Sequence, residues 1–142
     1  MKGIVTMLML TAYLAGWSKY TDYRKVCIDK YGDKIKLINP MSITHVEVIE
    51  DIGLNEYDTY IIRRDKKLIL SSDLLIAYLG DQGSTWGTTM EILFAYENGV
   101  PVYVIDVTEG MKNYKDAWVK FHTKKVFENI DDCFDFILSK KD

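Results

Sequence analysis

Short apolar runs alternate with amphipathic stretches along this chain. Leu8–Leu14, Ile35–Ile38, Leu74–Leu79, Val100–Val107 and Lys125–Phe127 are too short for helices and read as strands. Leu74–Leu79 shows no alternation, so it reads as a strand buried on both faces, as in a parallel sheet. Between them lie helical patterns. Thr21–Lys30 has Thr21 or Asp22 as cap and Tyr23, Val26, Cys27 and Tyr31 at helical spacing. Leu54–Leu70 carries the stripe Leu54, Tyr57, Ile61, Leu68. A helix from Trp86 or Thr88 to Asn98 stops at Gly99, with Pro101 just beyond. Tyr114–Phe121 reads as a short helix or turn after a loop over Thr108–Lys112. Ile130–Lys140 turns Ile130, Cys133, Phe134 and Ile137 inward, with Asp131 and Asp132 suited to the dipole at its start. Thr44–Ile49 reads as a short strand or a loop over a site. Strand and helix in alternation predict an α/β fold, a doubly wound parallel sheet with right-handed crossovers.

Composition narrows the picture. A chain of 142 residues reads as one domain, 1–142, large enough for a core without staples. Its 48% apolar and 27% charged residues are ordinary for a globular protein. A net charge of −3 argues against a partner with a phosphate backbone. Cys27 and Cys133 lie far apart, without metal spacing, and read as reduced thiols. His45 and His122 are isolated. The N-terminus has the charged start and apolar run of a signal peptide, yet it feeds straight into Gly16-Trp17-Ser18, and its removal would delete a strand. No run reaches a membrane span, and the reduced thiols lead to the expectation of a cytoplasmic protein.

Chemistry concentrates around the third strand. The glycines of Gly80-x-x-Gly83-x-x-x-Gly87 lack the Lys-Ser/Thr of a P-loop and are not GxGxxG. They suit a loop whose amides approach a small ligand at a helix N-terminus. Glu91 follows. Thr88-Thr-Met-Glu91 matches a capping box, and spacing alone favours that reading. The alternative is a carboxylate held ionised by the helix dipole and able to attack an anomeric carbon. Asp65 falls on the apolar stripe of the preceding helix, a costly place unless it is paired, with Arg64 for instance, or used. Two carboxylates with separated pKa values would suit a retaining glycosyl transfer. Trp17, at the end of the first strand, either stacks on a planar base or covers the core.

Taken in order, Tyr13-Leu-Ala-Gly-Trp17, Asp65 eight residues before Asp73-Leu-Leu-Ile-Ala, Gly87-Thr-x-x-Glu91-Ile-x-x-Ala95-Tyr and Asn98-Gly-Val-Pro101 resemble the nucleoside 2-deoxyribosyltransferase family over residues 10 to 107. The resemblance implies a flavodoxin-like five-stranded parallel sheet. It implies transfer of a 2-deoxyribosyl group between purine or pyrimidine bases in nucleoside salvage, with no metal or cofactor. Glu91 matches the nucleophile and Asp65 the acid/base group. Gly16, Trp17, Ser84, Thr85, Gly87 and Thr88 match positions around the substrate, with Thr85 standing where relatives carry an aspartate or serine. It also implies a homo-oligomer, a dimer or trimer of dimers, whose sites are completed by a neighbour's C-terminal segment. Relatives place an asparagine in that segment. Phe121-His-Thr-Lys-Lys125 has none there, and Asn129 comes later. Two other readings stay open. One is a 2′-deoxynucleoside 5′-monophosphate N-hydrolase, with Lys19 and Arg24 as candidate phosphate contacts. The other is a non-catalytic nucleotide-sensing module on the same fold.

Overall fold

The computed structural model describes residues 9–43, 54–83 and 85–139, without the side chains of residues 43, 54 and 55. Five strands form one sheet: β1 (Thr11–Gly16), β2 (Lys36–Ile38), β3 (Leu74–Leu79), β4 (Val102–Asp106) and β5 (Lys125–Phe127). All pairs are parallel and the order is β2-β1-β3-β4-β5. This is the flavodoxin-like order, which reverses direction between β1 and β3 and opens a crevice there at the carboxyl edge. The helices are α1 (Thr21–Tyr31), α2 (Leu54–Leu70), α3 (Trp86–Glu97), α4 (Ala117–His122) and α5 (Ile130–Ser139). Single 3₁₀ turns cover Pro40–Ile43 and Glu109–Met111.

Alternation along the strands divides the core in two. Ala12, Leu14, Leu74, Ile76 and Ile105 face one layer, closed by Tyr23, Cys27 and Tyr31 of α1 and Cys133, Phe134 and Ile137 of α5. Tyr13, Ala15, Leu75, Ala77 and Leu79 face the other, closed by Ile69 of α2 and Ile92 and Ala95 of α3. Tyr13 is therefore committed by strand parity to the layer that also receives Asp65 and Glu91. Full burial of each large aliphatic chain in these layers stabilises by about 1.5–3 kcal/mol.

The bounds of α2, β3 and β5 match the apolar pattern, and the other elements differ at their ends by a few residues. Neither Thr21 nor Asp22 caps α1; Tyr20 holds that place and makes no side-chain cap bond. The inner face of α2 includes Ile69, fully buried, while Ile62 is exposed. Asp131 turns from its helix to accept bonds from Lys30 (2.7 Å) and Tyr31 (2.6 Å). Leu8, His45, the Thr44–Ile49 stretch, Ser84 and Lys140 lie outside the described residues.

One buried charge fixes the loop that follows β1. Arg24 is 1% exposed. It donates from Nη2 to the Gly16 carbonyl (2.8 Å), from Nη1 to those of Trp17 (3.1 Å) and Tyr20 (3.3 Å), and from Nε to Leu14 (3.4 Å). Two carbonyls of the strand and two of the loop thus converge on a single guanidinium. Arg24→Met keeps the stem and leaves those carbonyls without their donor. Urea unfolding should show a loss of about 3 kcal/mol; a loss below about 1 kcal/mol would mean that the loop does not depend on this staple.

Candidate active site

Three ionisable side chains from three elements meet under the crevice between β1 and β3. The Tyr13 hydroxyl, from the middle of β1, donates to Glu91 Oε2 at 2.6 Å. Asp65 comes from α2. Its Oδ1 accepts from Arg64 Nη2 at 2.8 Å and from Arg64 Nε at 3.1 Å, while Arg64 Nη2 also donates to the Pro40 carbonyl at 3.0 Å. Arg64 and Asp65 keep only 10% and 14% of their side-chain surface exposed.

Burial sets the charge of this cluster. It pushes the Glu91 carboxyl up to about 7, and the Asp65 charge pushes the same way. The Tyr13 hydrogen bond and the charges of Arg24 and Arg64 oppose the rise. Asp65 is also raised by burial, against the hydrogen bonds and charge of Arg64 and the nearby Tyr13 hydroxyl. Tyr13 itself, buried beside two carboxylates, is held far above the usual phenol range and remains a donor. Two carboxyl groups that cannot both ionise freely, with a phenol donating to one of them, form an acid–base pair of the kind that glycosyl chemistry uses.

A 2-deoxyribosyltransferase of Bacillus psychrosaccharolyticus matches at TM-score 0.71 and 20% identity, over 86% of this chain and 88% of that one. A 2-desoxiribosyltransferase from Leishmania mexicana matches at TM-score 0.59 and 17% identity, over 92% and 98%. The chain has the 2-deoxyribosyltransferase fold. A conserved protein from Enterococcus faecalis V583 has it too, at TM-score 0.65 and 20% identity over 94% and 98% of the two chains. No protein-family profile and no curated protein matches the sequence.

Within the 2-deoxyribosyltransferase fold, the capping-box reading of Glu91 is overturned. Helix α3 begins at Trp86 with Thr85 as its N-cap, and Thr85 makes no side-chain cap bond. Glu91 therefore stands in the second turn, beyond the reach of the cap and of most of the dipole. Its carboxylate turns to Tyr13 instead. The expectation that the helix end keeps Glu91 ionised fails with it, because burial dominates. Thr88 is 4% exposed and buried among the helix contacts, whereas Thr85 and Gly87 are open.

Two glycines of the loop after β3 meet aromatic rings. A side chain at Gly83, where φ is +84°, would collide with the Trp17 ring, and one at Gly80 would collide with Tyr20. Tyr20 Oη donates to the Gln82 carbonyl at 2.6 Å and packs edge-on against Trp17 at 5.3 Å. Trp17 is thus a half-buried clamp on the loop. Gly16 begins the turn that Arg24 fastens. Asn129 accepts from the Asp132 amide at 2.8 Å and serves as a helix cap.

Tyr13 was not singled out by sequence reasoning. The available signal was a phenol in the middle of a buried strand, which requires a partner. A cavity of about 600 Å³ lies on another face of α3, lined by Met90, Leu93, Trp118 and Val119 among others, and includes none of Tyr13, Asp65 and Glu91. Among the described residues, no group of three His, Cys, Asp or Glu is placed to hold a metal ion, and no helix is long and apolar enough to cross a membrane.

Folding lifts the Glu91 carboxyl from its ordinary 4.5 to about 7. Between those values the unfolded chain has released its proton and the folded chain keeps it, so rising pH removes stability. The penalty is absent below about 4.5 and complete above about 7, where it is roughly 3 kcal/mol. Glu91→Gln removes the titrating group. Urea unfolding of both proteins between pH 4 and 9 should show the variant gaining on the wild type across that window only. A gap independent of pH would contradict the buried-carboxyl account.

Proposed function

We propose that the chain transfers a 2-deoxyribosyl group between nucleobases through a covalent intermediate on Glu91, as part of nucleoside salvage. The observation that carries this reading is the hydrogen-bonded Tyr13–Glu91 pair beside Asp65, at the reversal of strand order. The fold shared with 2-deoxyribosyltransferases supports it.

In this mechanism the ionised Glu91 attacks C1′ of the sugar. The electron pair of the C1′–N bond leaves with the base, which takes a proton from Asp65. A second base then attacks C1′, Asp65 accepts its proton, and Glu91 is released. Developing positive charge at C1′ lies against the carboxylate, where burial strengthens the attraction. Tyr13 holds Glu91 by one oxygen and leaves the other for the sugar. Gly16, Trp17, Ser84, Thr85, Gly87 and Thr88 surround the substrate in this reading, with buried Thr88 acting through the position of α3.

The hydrolase reading would use Arg24 on a phosphate. All three nitrogens of that guanidinium are already engaged with main-chain carbonyls, which counts against it. A homo-oligomer belongs to the proposal as well. Trp118 and Phe121 of α4 are 76% and 68% exposed and Met90 of α3 is 64% exposed, an apolar surface that a second copy would cover.

Incubation with thymidine and adenine should yield deoxyadenosine, and incubation with dTMP alone should yield no deoxyribose 5-phosphate. The opposite result would replace transfer by phosphate-dependent hydrolysis, and neither product would favour a sensing module. Glu91→Ala is expected to fold and to abolish turnover, and Asp65→Asn to lose most of it.

The acidic limb of the rate profile should follow Glu91, with activity rising through about pH 7. Tyr13→Phe removes a bond that favours the ionised form. The limb should move to higher pH by roughly one unit; an unmoved limb would separate Tyr13 from the charge of Glu91.

A further inference from the structure

The fold leaves one side of α3 and α4 uncovered. Trp86, Met90 and Leu93 recur at helical spacing on the side of α3 turned away from the sheet, and all three are exposed. Exposed Tyr96 meets exposed Phe121 of α4 ring to ring at 5.5 Å, and exposed Trp118 lies on the same side of α4. The cavity of about 600 Å³ opens inside this patch, with Met90, Leu93, Trp118 and His122 in its walls. At roughly 200 Å² for each such side chain when fully exposed, these six present about 700 Å², close to the ~800 Å² that each partner gives to a stable interface.

Two polar groups in the patch say what covers it. His122 is 9% exposed. Its Nδ1 lies 2.7 Å from the Trp118 carbonyl. A carbonyl only accepts, so Nδ1 holds the proton of the neutral ring and Nε2 is left as an acceptor. Nε2 has no partner among the described residues and is not sealed off. One turn earlier, the Trp118 indole N–H is a donor, also without a partner among the described residues. A patch with one unmet donor, one unmet acceptor, a protruding ring and a cavity is complementary to itself.

Resting on the homo-oligomer reading above, we propose that α4 packs antiparallel on α4 of a second copy, across a two-fold axis that passes between Trp118 and His122: each Trp118 ring enters the cavity of the other copy and donates its indole N–H to His122 Nε2 there. Helix geometry permits this, because position 118 of one helix then stands opposite position 122 of the other, and the two bonds form reciprocally. The second copy then supports the outer face of the helix that carries Glu91, and it reaches Thr85, which lines the same cavity.

Sedimentation equilibrium of the full chain tests the pairing. The wild type should be a dimer or a multiple of one at micromolar concentration. Trp118→Phe keeps a ring and removes the donor, and His122→Phe keeps a ring and removes the acceptor. Each loses the same two bonds per interface, so each should raise the dissociation constant by about tenfold. The double variant should also lose about tenfold rather than about a hundredfold, because the effects are shared. Additive losses would overturn the pairing. A dimer that these variants leave unchanged would overturn it too, while the homo-oligomer reading stands. A wild type that stays monomeric overturns both, and that measurement needs no variant to fold. In nitrogen-15 spectra of the wild type, an indole N–H signal should move on dilution to the monomer; indole signals that all stay in place would overturn the pairing.

Discussion

Two carboxyl groups held out of water beside one phenol are the constraint on which this structure turns. Asp65 and Glu91 are compensated in different ways. Asp65 is satisfied by Arg64 along one edge, and Glu91 by a neutral hydroxyl. A hydroxyl compensates burial less fully than a cation, so the Glu91 carboxyl stays near neutrality in its titration while its neighbour takes the guanidinium. The asymmetry is chemical as well as energetic. It leaves one group able to change charge near neutral pH and gives the other a fixed electrostatic companion. The sheet makes the arrangement possible, because its parallel strands bring the ends of β1 and β3 together where the strand order reverses.

The surrounding loops are organised to keep that place open. Arg24 gathers the carbonyls after β1, and the Trp17–Tyr20 pair receives the loop after β3. Tyr78, stacked on Tyr23 at 4.4 Å, carries the aromatic layer back into the sheet. On the far side, Asp106 at the end of β4 accepts from the Thr108 hydroxyl (2.6 Å) and the Tyr114 amide (2.9 Å), pinning the next loop. The ends of β1, β3 and β4 are thus fastened by polar or aromatic groups, so the crevice that receives the two carboxylates is framed by rigid parts.

Much of this was legible in the sequence because it depends on local pattern. Strand parity, the stripe on α2 and the Gly99–Pro101 stop are short-range signals, and they located the sheet and the helices that frame the crevice. Glu91 and Asp65 stood out because charge interrupts an apolar pattern there. What could not be read were the partners, since hydrogen bonds across the fold have no periodicity. Tyr13 lies 78 residues from Glu91 along the chain. The capping-box match misled because it describes spacing alone, and the helix starts three residues earlier than that match requires. The loop glycines make a related point: absence of a side chain is compatible with a ligand and with a tryptophan ring, and the ring against Gly83 has no signature in the local pattern.

The contact between Gly83 and the Trp17 ring ties together two loops that leave different strands. The constraint is one-sided. A smaller residue at 17 removes the collision but not the backbone strain, because φ at 83 is +84°. Over evolutionary time position 83 is therefore expected to stay glycine while the ring at 17 varies, and a library randomising both positions should return folded variants that differ at 17 and keep the glycine.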